Sequence, residues 1–314
     1  MMRIISFILL ILWLFSSYEA LAQPRRTLLD AGAAGRVVAV PHGMGEELRL
    51  TRDGRTLWKT RTQRFTTFRD GAPIPIGDDA TAIGIIGWTG GAYCCWTLHL
   101  FRQGPADLAA IGSVPLGKRD PDEIRLAPPG GPAIQIADAG FDFWEAPISR
   151  ATDLHPTIPF RWTGRALEPD IAAMRRPVAA ALGTACIEMA APEGFPPPEQ
   201  RVTTYADPDA AIAALRAQDW RSRTERHPGV EAARLAACLI YAGHAAEAQR
   251  LLRAAWPSGV PGLPETERQI AARVACSPFA AAVRAANAPG APLLGGRCQP
   301  QGPDQVAVYG LGWR

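Results

Sequence analysis

Short apolar runs separated by glycine, proline and aspartate occupy residues 36 to 162. Glycine contributes 30 and proline 29 of the 314 residues, and both interrupt regular structure. Two runs flank Asp53-Gly54, a dipeptide typical of a two-residue hairpin turn. Strands joined by short turns, with no helix between them, pair as antiparallel neighbours. The sequence therefore predicts an antiparallel β-rich N-terminal half, built as a curled sheet, a sandwich or a partial propeller.

The strand predictions follow the β-branched and aromatic runs and the positions where apolar and polar residues alternate. Residues 81–88 are nearly all apolar, which is typical of a central strand covered on both faces. The predicted strands are 37–40, 48–52, 55–60, 65–68, 81–88, 95–101, 108–114, 123–126, 133–137, 141–144 and 158–162.

Beyond residue 169 the pattern changes to alanine-rich helical spacing. Asp207 before Pro208 forms an N-cap and first-turn pair. Residues 230–242 place apolar side chains at helical intervals, and Gly243 ends this helix. A second helix over 245–256 follows at once, so the two form an antiparallel hairpin. A further pair is predicted at 265–275 and 278–286. The overall prediction is an α+β fold in which a C-terminal helical-hairpin cap packs on the β-rich half.

The N-terminus has the three parts of a secretory signal peptide. A positive start ends at Arg3, an apolar run covers residues 4–15, and Ala20-Leu21-Ala22 forms a small-x-small cleavage site. This twelve-residue run spans about 18 Å as a helix, which is short of the roughly 30 Å hydrocarbon core of a bilayer. We therefore expect cleavage after residue 22, export to the periplasm or the medium, and a secreted mature chain without a transmembrane segment.

Composition then divides the mature chain into four parts. We predict an antiparallel β domain over 23–168 and a helix with a Pro-rich connector over 169–200. An α-helical hairpin domain covers 201–288, and an irregular Gly/Pro-rich tail covers 289–314. Proline is concentrated in the connector, where four prolines fall between residues 190 and 199 and favour a stiff, extended segment.

Export would place the six cysteines in an oxidising compartment, where disulfide bonds persist. Cys94 and Cys95 are adjacent, and they either bond to each other or diverge to separate partners. We favour the vicinal bond, because the preceding Gly90-Gly91 turn tolerates distorted backbone. For the other four cysteines, three pairings are open, and we prefer Cys186 with Cys238 and Cys276 with Cys298.

Charge and motifs exclude several functional classes. The net charge is +3, and the basic residues are scattered along the sequence without a nucleic-acid-binding stripe. We therefore expect no nucleic-acid partner. No CxxC pair or zinc-knuckle spacing is present, and neither are the nucleophile-elbow, phosphate-loop and zinc-protease motifs. We accordingly predict no metal and no cofactor.

One sequence motif resembles a motif found in a group of other proteins. Gly90-Gly91-Ala92-Tyr93-Cys94-Cys95 is similar to the Gly-Gly-Ala-His-Cys-Cys motif of a group of uncharacterised exported bacterial proteins. The similarity extends to segments 141–144, 160–162, 239–244 and 255–257. The resemblance implies export but no particular activity. This sequence has Tyr93 where the group has histidine, so no imidazole-dependent role is transferred.

Two groups of residues are candidates for function. The first contains Trp88, Tyr93, Cys94, Cys95 and Trp96, where a rigid disulfide ring next to aromatic faces would form a platform for a sugar ring or another flat apolar ligand. One alternative is that the cysteines only fix the turn. A second is a redox-active dithiol, although the CxxC at a helix start that usually accompanies one is absent.

The second group contains Asp138, Asp142 and Glu145, next to Phe143 and Trp144. Paired carboxylates beside aromatic residues are typical of glycoside hydrolases. Acidic residues at strand ends are more often solvated turn formers, which is the alternative.

We therefore interpret the chain as an exported binding or envelope-associated module, without catalysis, whose partner is a small molecule, a glycan or an envelope protein. The alternative hypothesis is a periplasmic glycan hydrolase that uses the carboxylates around Asp142.

Overall fold

The computed structural model describes residues 24–77, 80–91, 95–118, 121, 125–126, 134–142, 154, 156–182, 204–221 and 227–298. The predicted signal peptide and the connector at 190–199 lie outside these residues. So do Tyr93, Cys94, Glu145 and Cys186.

The first sheet is an antiparallel meander in the order β1-β2-β3-β4. Its strands are β1 (Arg26–Asp30), β2 (Arg36–His42), β3 (Gly45–Arg52) and β4 (Arg55–Thr62). The turn between β3 and β4 is the predicted one, because Asp53 and Gly54 both have positive φ, at 51° and 75°. Strand β1 was missing from the sequence-based prediction.

The second sheet forms the central layer of the β-rich half. It contains β5 (Arg64–Thr67), β6 (Ile74–Gly77), β7 (Ala80–Trp88), β8 (Trp96–Gln103) and β9 (Leu108–Gly117). The order is β5-β7-β8-β9, and β6 pairs with the other end of β7. Strand β6 was not predicted, because proline at position 75 weakens the strand signal.

A third antiparallel sheet has the order β10-β11-β12-β13. Its strands are β10 (Arg125–Leu126), β11 (Ile134–Ala137), β12 (Thr157–Trp162) and β13 (Leu167–Pro169). The prediction of a strand at 141–144 is wrong at its first residue. Phe141 ends a 3-10 turn, Ala139–Phe141, because the side chain of Asp138 accepts a hydrogen bond from Gly140 N and closes the turn.

The C-terminal part is helical. Two short helices, α1 (Ile171–Met174) and α2 (Val178–Ala181), precede the larger ones. These are α3 (Pro208–Arg216), α4 (Pro228–Tyr241), α5 (Ala245–Ala255), α6 (Leu263–Cys276) and α7 (Ala280–Ala286). Asp207 caps α3 through Ala210 N, and Gly243 at φ 88° ends the α4 turn, both as predicted.

Two apolar clusters hold these layers together. The smaller one lies between the first and second sheets and includes Val37, Leu48, Phe65 and Phe101. The larger one joins the other face of the second sheet to the third sheet and to helices α3 to α7, so both halves of the chain share one continuous core. The fold is α+β, as predicted from the sequence.

A disulfide bond joins Cys276, at the end of α6, to Cys298, with 4.4 Å between the Cα atoms. This is the pairing preferred from the sequence, and it attaches the irregular tail to the helical part. Cys95 and Cys238 are also disulfide-bonded. Their partners lie outside the described residues, so the predicted bonds Cys94–Cys95 and Cys186–Cys238 stay predictions.

Candidate functional site

A row of side chains crosses one end of the second sheet. The register of the antiparallel strands places Arg64 of β5 opposite Trp88 of β7, and Trp88 opposite Trp96 of β8. The row ends at Gly117 of β9, which lies opposite Trp96. Arg64 belongs to this face because its neighbour Phe65 points into the smaller core cluster on the other face.

The two indole rings of this row stack on each other. Their centroids are 5.8 Å apart and their planes are inclined by 26°. Trp88 and Trp96 are half-buried, while Arg64 is exposed. Half-buried indoles combine a large apolar surface with a polar N–H group, a combination that suits the binding of ligands with both characters. The stacked pair together with Arg64 is called the aromatic platform below.

The hairpin that carries the two tryptophans is closed by hydrogen bonds at its end. Thr89 N donates to Cys95 O at 3.1 Å, and Cys95 N donates to the hydroxyl oxygen of Thr89 at 2.7 Å. Gly90 has φ 92°, and a Cβ atom there would lie 3.0 Å from the side chain of Gln63. Cys95 is fully buried and disulfide-bonded. These restraints fix the positions of Trp88 and Trp96, whereas Tyr93 and Cys94 lie outside the described residues.

Asp142 reaches the end of the same row. Its carboxylate accepts a hydrogen bond from Lys118 N at 2.9 Å and occupies the space above Gly117, where a Cβ atom would lie 1.9 Å from Oδ2. Gly117 is the cross-strand neighbour of Trp96. The structure therefore brings Asp142 of the second candidate group to the same end of the second sheet as Trp88 and Trp96 of the first group.

The carboxylates themselves are deeply buried. Asp138 is 0% exposed and Asp142 is 1% exposed. Oδ1 of Asp138 accepts from Gly140 N at 2.8 Å, and Oδ2 accepts from the hydroxyls of Tyr241 and Ser277. Such contacts link the 3-10 turn to α4 and to the end of α6. The geometry of Asp138 supports a structural role, and the third candidate, Glu145, lies outside the described residues.

Arg273 of α6 reinforces the same junction. It is 3% exposed, and its Nη1 atom donates to Gly140 O at 3.0 Å and to Asp142 O at 2.7 Å. A guanidinium group that donates to two backbone carbonyls holds both residues in fixed positions. The sequence did not indicate this residue, because 131 positions separate it from Asp142.

A buried histidine lies on the opposite face of the second sheet. His99 of β8 is 6% exposed, and its Nδ1 atom is 2.8 Å from the hydroxyl oxygen of Ser113. The rings of Trp58 and Phe65 lie 5.6 and 5.8 Å from the imidazole centroid. Burial lowers the pKa of His99 from 6.5 to about 3, so the ring is neutral at physiological pH.

The sequence-based search missed Arg64, which lies beside the tryptophan pair, and a group of cations on the first sheet. Arg64 is identified only by the β5–β7 register. Alternation in β3 and β4 places Arg49, Lys59 and Arg61 on the outward face of the first sheet, around the carboxylate of Glu47. The period-two spacing of Lys59 and Arg61 is the signal in the sequence that indicates this shared face.

Within the described ranges, no helix is long and apolar enough to cross a membrane, and no cluster of three or more metal-ligating side chains occurs. Comparisons with protein-family models, with curated proteins and with solved structures found no match to this chain.

Proposed function

We propose that this protein is an exported, envelope-associated binding module without catalytic activity, and that the aromatic platform binds a ring-shaped ligand such as a sugar. The single observation that carries the proposal is the cross-strand stacking of Trp88 on Trp96, with Arg64 next in the row. Sugar rings present C–H groups that pack on indole faces, and an arginine beside them binds hydroxyl or carboxylate oxygens.

Export is supported by two features of the chain. The N-terminal 22 residues have the composition of a signal peptide. The disulfide bond between Cys276 and Cys298 is of the kind that persists in an oxidising compartment. An exported protein of this kind is located among envelope glycans. For this reason we propose a sugar as the ring-shaped ligand.

Binding without hydrolysis is supported by the position of the acidic residues. A glycosidase needs two carboxyl groups that contact the glycosidic bond. Asp138 is fully buried and bonded to Tyr241 and Ser277, and Asp142 is 1% exposed and accepts a bond from Lys118 N. Neither carboxylate is accessible to a polysaccharide in this structure.

Fluorescence titration tests ligand binding at the aromatic platform directly, because tryptophan emission changes when a ligand contacts the indole rings. Soluble peptidoglycan fragments and a panel of neutral and acidic oligosaccharides are titrated into the purified protein. We expect at least one glycan to shift the tryptophan emission, and Trp88→Leu or Trp96→Leu to weaken its binding. Trp162→Leu is the matched control, since Trp162 is another half-buried tryptophan that lies in the third sheet and contacts Arg102.

The same samples separate binding from hydrolysis. Each glycan that binds is incubated with the protein, and the products are analysed by mass spectrometry. We expect the glycan to remain intact. Release of shorter products, abolished by Asp142→Asn in a folded variant, would establish the hydrolase alternative. If no glycan in the panel binds, or if Trp162→Leu weakens binding as much as Trp88→Leu, the proposed platform is wrong.

A further inference from the structure

The outward face of the first sheet contains a concave site that shares no residue with the aromatic platform. A cleft of about 370 Å³ lies between the start of β2, the end of β3 and the β3–β4 turn. Its charged lining residues are Arg25, Arg36, Arg49, Arg52 and Asp53. This site is called the basic cleft. Its volume falls within the range of about 300 to 1,000 Å³ that is usual for small-molecule sites.

The strand register explains why cations collect there. Val38 of β2 lies opposite Arg49 of β3, and Arg36 lies opposite Thr51. Their sequence neighbours Val37 and Leu50 point into the core between the first two sheets. Because side chains alternate along a strand, Arg36 and Arg49 are directed outward, away from that core. Arg25 directly precedes β1 and Arg52 is the last residue of β3, and both also line the cleft.

Two of the four arginines in the cleft already have carboxylate partners. Arg36 pairs with Asp30 at 3.1 Å, and Arg49 pairs with Glu47 at 2.6 Å. Glu47 is also 2.6 Å from Arg61, so its charge is shared among several cations. The hydrogen bonds from Arg61 and Arg49 lower the pKa of Glu47 from 4.5 to about 2, which keeps it ionised.

Arg25 and Arg52 are different. Within the part of the chain that the structure describes, neither side chain has a hydrogen bond or ion pair to an acidic group. Among the described residues that line the cleft, Asp53 is the only acidic one. Two guanidinium groups without carboxylate partners, facing one concave space, create a positive potential that a ligand with two negative charges would neutralise.

The rest of the lining is small or apolar. Val38, which is 1% exposed, and the half-buried Val40 lie between the charged residues, and glycines at positions 32 and 35 form one wall. Gly35 has φ 132°, and a Cβ atom there would lie 3.0 Å from Thr51 O. The glycine therefore permits close approach of two backbone segments and leaves the cleft open above them. A ligand in the cleft would contact apolar surface as well as charge.

We propose that the basic cleft binds a small molecule that carries a phosphate monoester. A phosphate monoester is close to a dianion at neutral pH, and its oxygens accept paired hydrogen bonds from guanidinium groups. Arg25 and Arg52 bind the phosphate, and the remainder of the ligand packs on the half-buried Val40. A sugar phosphate has both parts, whereas inorganic phosphate has only the first.

Isothermal titration calorimetry on the purified protein tests this proposal with three probes: a hexose phosphate, inorganic phosphate and the same hexose without phosphate. We expect the hexose phosphate to bind best, inorganic phosphate to bind more weakly, and the neutral hexose not to bind at the cleft. Affinity should fall as salt is raised, because exposed charges are screened.

Variants assign the binding to the cleft. Arg25→Gln and Arg52→Gln are each expected to weaken hexose phosphate binding about tenfold, since each removes a charge-assisted contact. The matched control is Arg55→Gln, which removes an exposed arginine of the same hairpin that does not line the cleft. Circular dichroism and urea unfolding confirm that the variants fold.

Three outcomes would overturn the proposal: binding of neither phosphate probe, equal affinity for the hexose with and without phosphate, or equal losses in Arg55→Gln and Arg52→Gln. The same titrations are therefore repeated in Trp88→Leu, in which the aromatic platform no longer binds a sugar ring, and we expect the basic cleft of this variant still to prefer the hexose phosphate over the neutral hexose. Failure of the aromatic platform and failure of the basic cleft are therefore separate results.

Discussion

The hydroxyl of Tyr241 in α4 donates a hydrogen bond to the carboxylate of Asp138, directly before the 3-10 turn that follows β11. The two residues are 103 positions apart in the sequence. Both are fully buried, and Ser277 donates to the same carboxylate oxygen. One acidic side chain of the β-rich half is thus bonded to two separate elements of the helical half. This contact explains how the cap is fixed on the sheets.

We predict that Tyr241→Phe destabilises the protein by about 1 to 3 kcal/mol, because a buried carboxylate loses a hydrogen-bond donor while the ring is kept. Ser277→Ala should act in the same direction. Urea unfolding followed by circular dichroism measures the change. Thr163→Val is the control, because the Thr163 hydroxyl makes exposed hydrogen bonds, donating to Ala166 O and accepting from Ala166 N. Its effect should stay below about 1 kcal/mol. A smaller loss in Tyr241→Phe than in this control would contradict the structural role of Asp138.

Features with local causes were predictable from the sequence. The Asp53-Gly54 turn depends on two residues that tolerate positive φ, and the start of α3 depends on the Asp207 cap. The hairpin that joins Trp88 to Trp96 was also predictable, since short loops between strands fix which residues are neighbours. Most elements of the fold have such causes.

Features that depend on register or on distant contacts were not predictable. The 3-10 turn replaces a strand at Phe141 because Asp138 closes it, yet the apolar and aromatic composition of 141–144 favours a strand. The basic cleft appears only when β2 and β3 are aligned, because its arginines are spread over 28 residues of sequence. Neither the junction at Asp138 nor the cleft has a local motif.

Gly117 provides a second prediction. A methyl group there would lie 1.9 Å from Oδ2 of Asp142 and 2.7 Å from Cβ of Ala139, and the residue has φ 63°. We expect Gly117→Ala to destabilise the protein by about 3 kcal/mol or more, because the 3-10 turn must move away from β9. The emission of Trp96 should also change, since Trp96 is the cross-strand neighbour of Gly117.

Gly164→Ala is the matched control for this substitution. Gly164 has φ 86°, but a Cβ atom there would have no neighbour within 4 Å. Gly164→Ala should therefore destabilise the protein only through backbone strain, by about 1 to 2 kcal/mol, because alanine is disfavoured in the left-handed conformation. Comparison of the two variants by urea unfolding separates the steric clash from backbone strain. Equal losses would show that Asp142 does not restrict the space above Gly117.

Glu46 provides a third prediction, because it connects three strands. Its carboxylate accepts from Arg26 of β1 at 2.7 and 2.9 Å and from Phe65 N of β5 at 2.7 Å. Glu46→Gln keeps a side-chain oxygen that can accept the hydrogen bond from Phe65 N, but it removes the negative charge. We expect it to destabilise the protein by about 1 to 2 kcal/mol. Glu46→Ala removes every contact of this 5% exposed side chain, and should destabilise by about 3 kcal/mol.

The control for the Glu46 series is Asp30→Asn, which disrupts the exposed pair between Asp30 and Arg36 on the same sheet. Exposed ion pairs contribute little, so we expect a loss of less than about 1 kcal/mol. Thermal and urea unfolding rank the three variants. If Asp30→Asn is as destabilising as Glu46→Ala, burial does not govern the strength of these pairs.

The last prediction concerns pH and depends on His99. Burial lowers the pKa of its imidazole to about 3 in the folded protein, against an ordinary value of 6.5 in the unfolded chain. Between these values the unfolded chain binds a proton that the folded protein does not bind. Stability therefore falls as pH is lowered from 6.5 towards 3, by up to about 1.4 kcal/mol per pH unit from this one group.

The pH range from 6.5 down to 5 is the informative one, because it lies above the range in which carboxylates such as Glu47 change their charge. We expect urea unfolding to show a decrease in stability over this range, and His99→Asn to reduce the slope while keeping a polar group near Ser113. Burial also lowers the pKa of His227, so the His99→Asn variant should keep a smaller dependence of stability on pH with the same sign. An unaltered slope in His99→Asn would mean that this imidazole is protonated in the folded protein despite its burial.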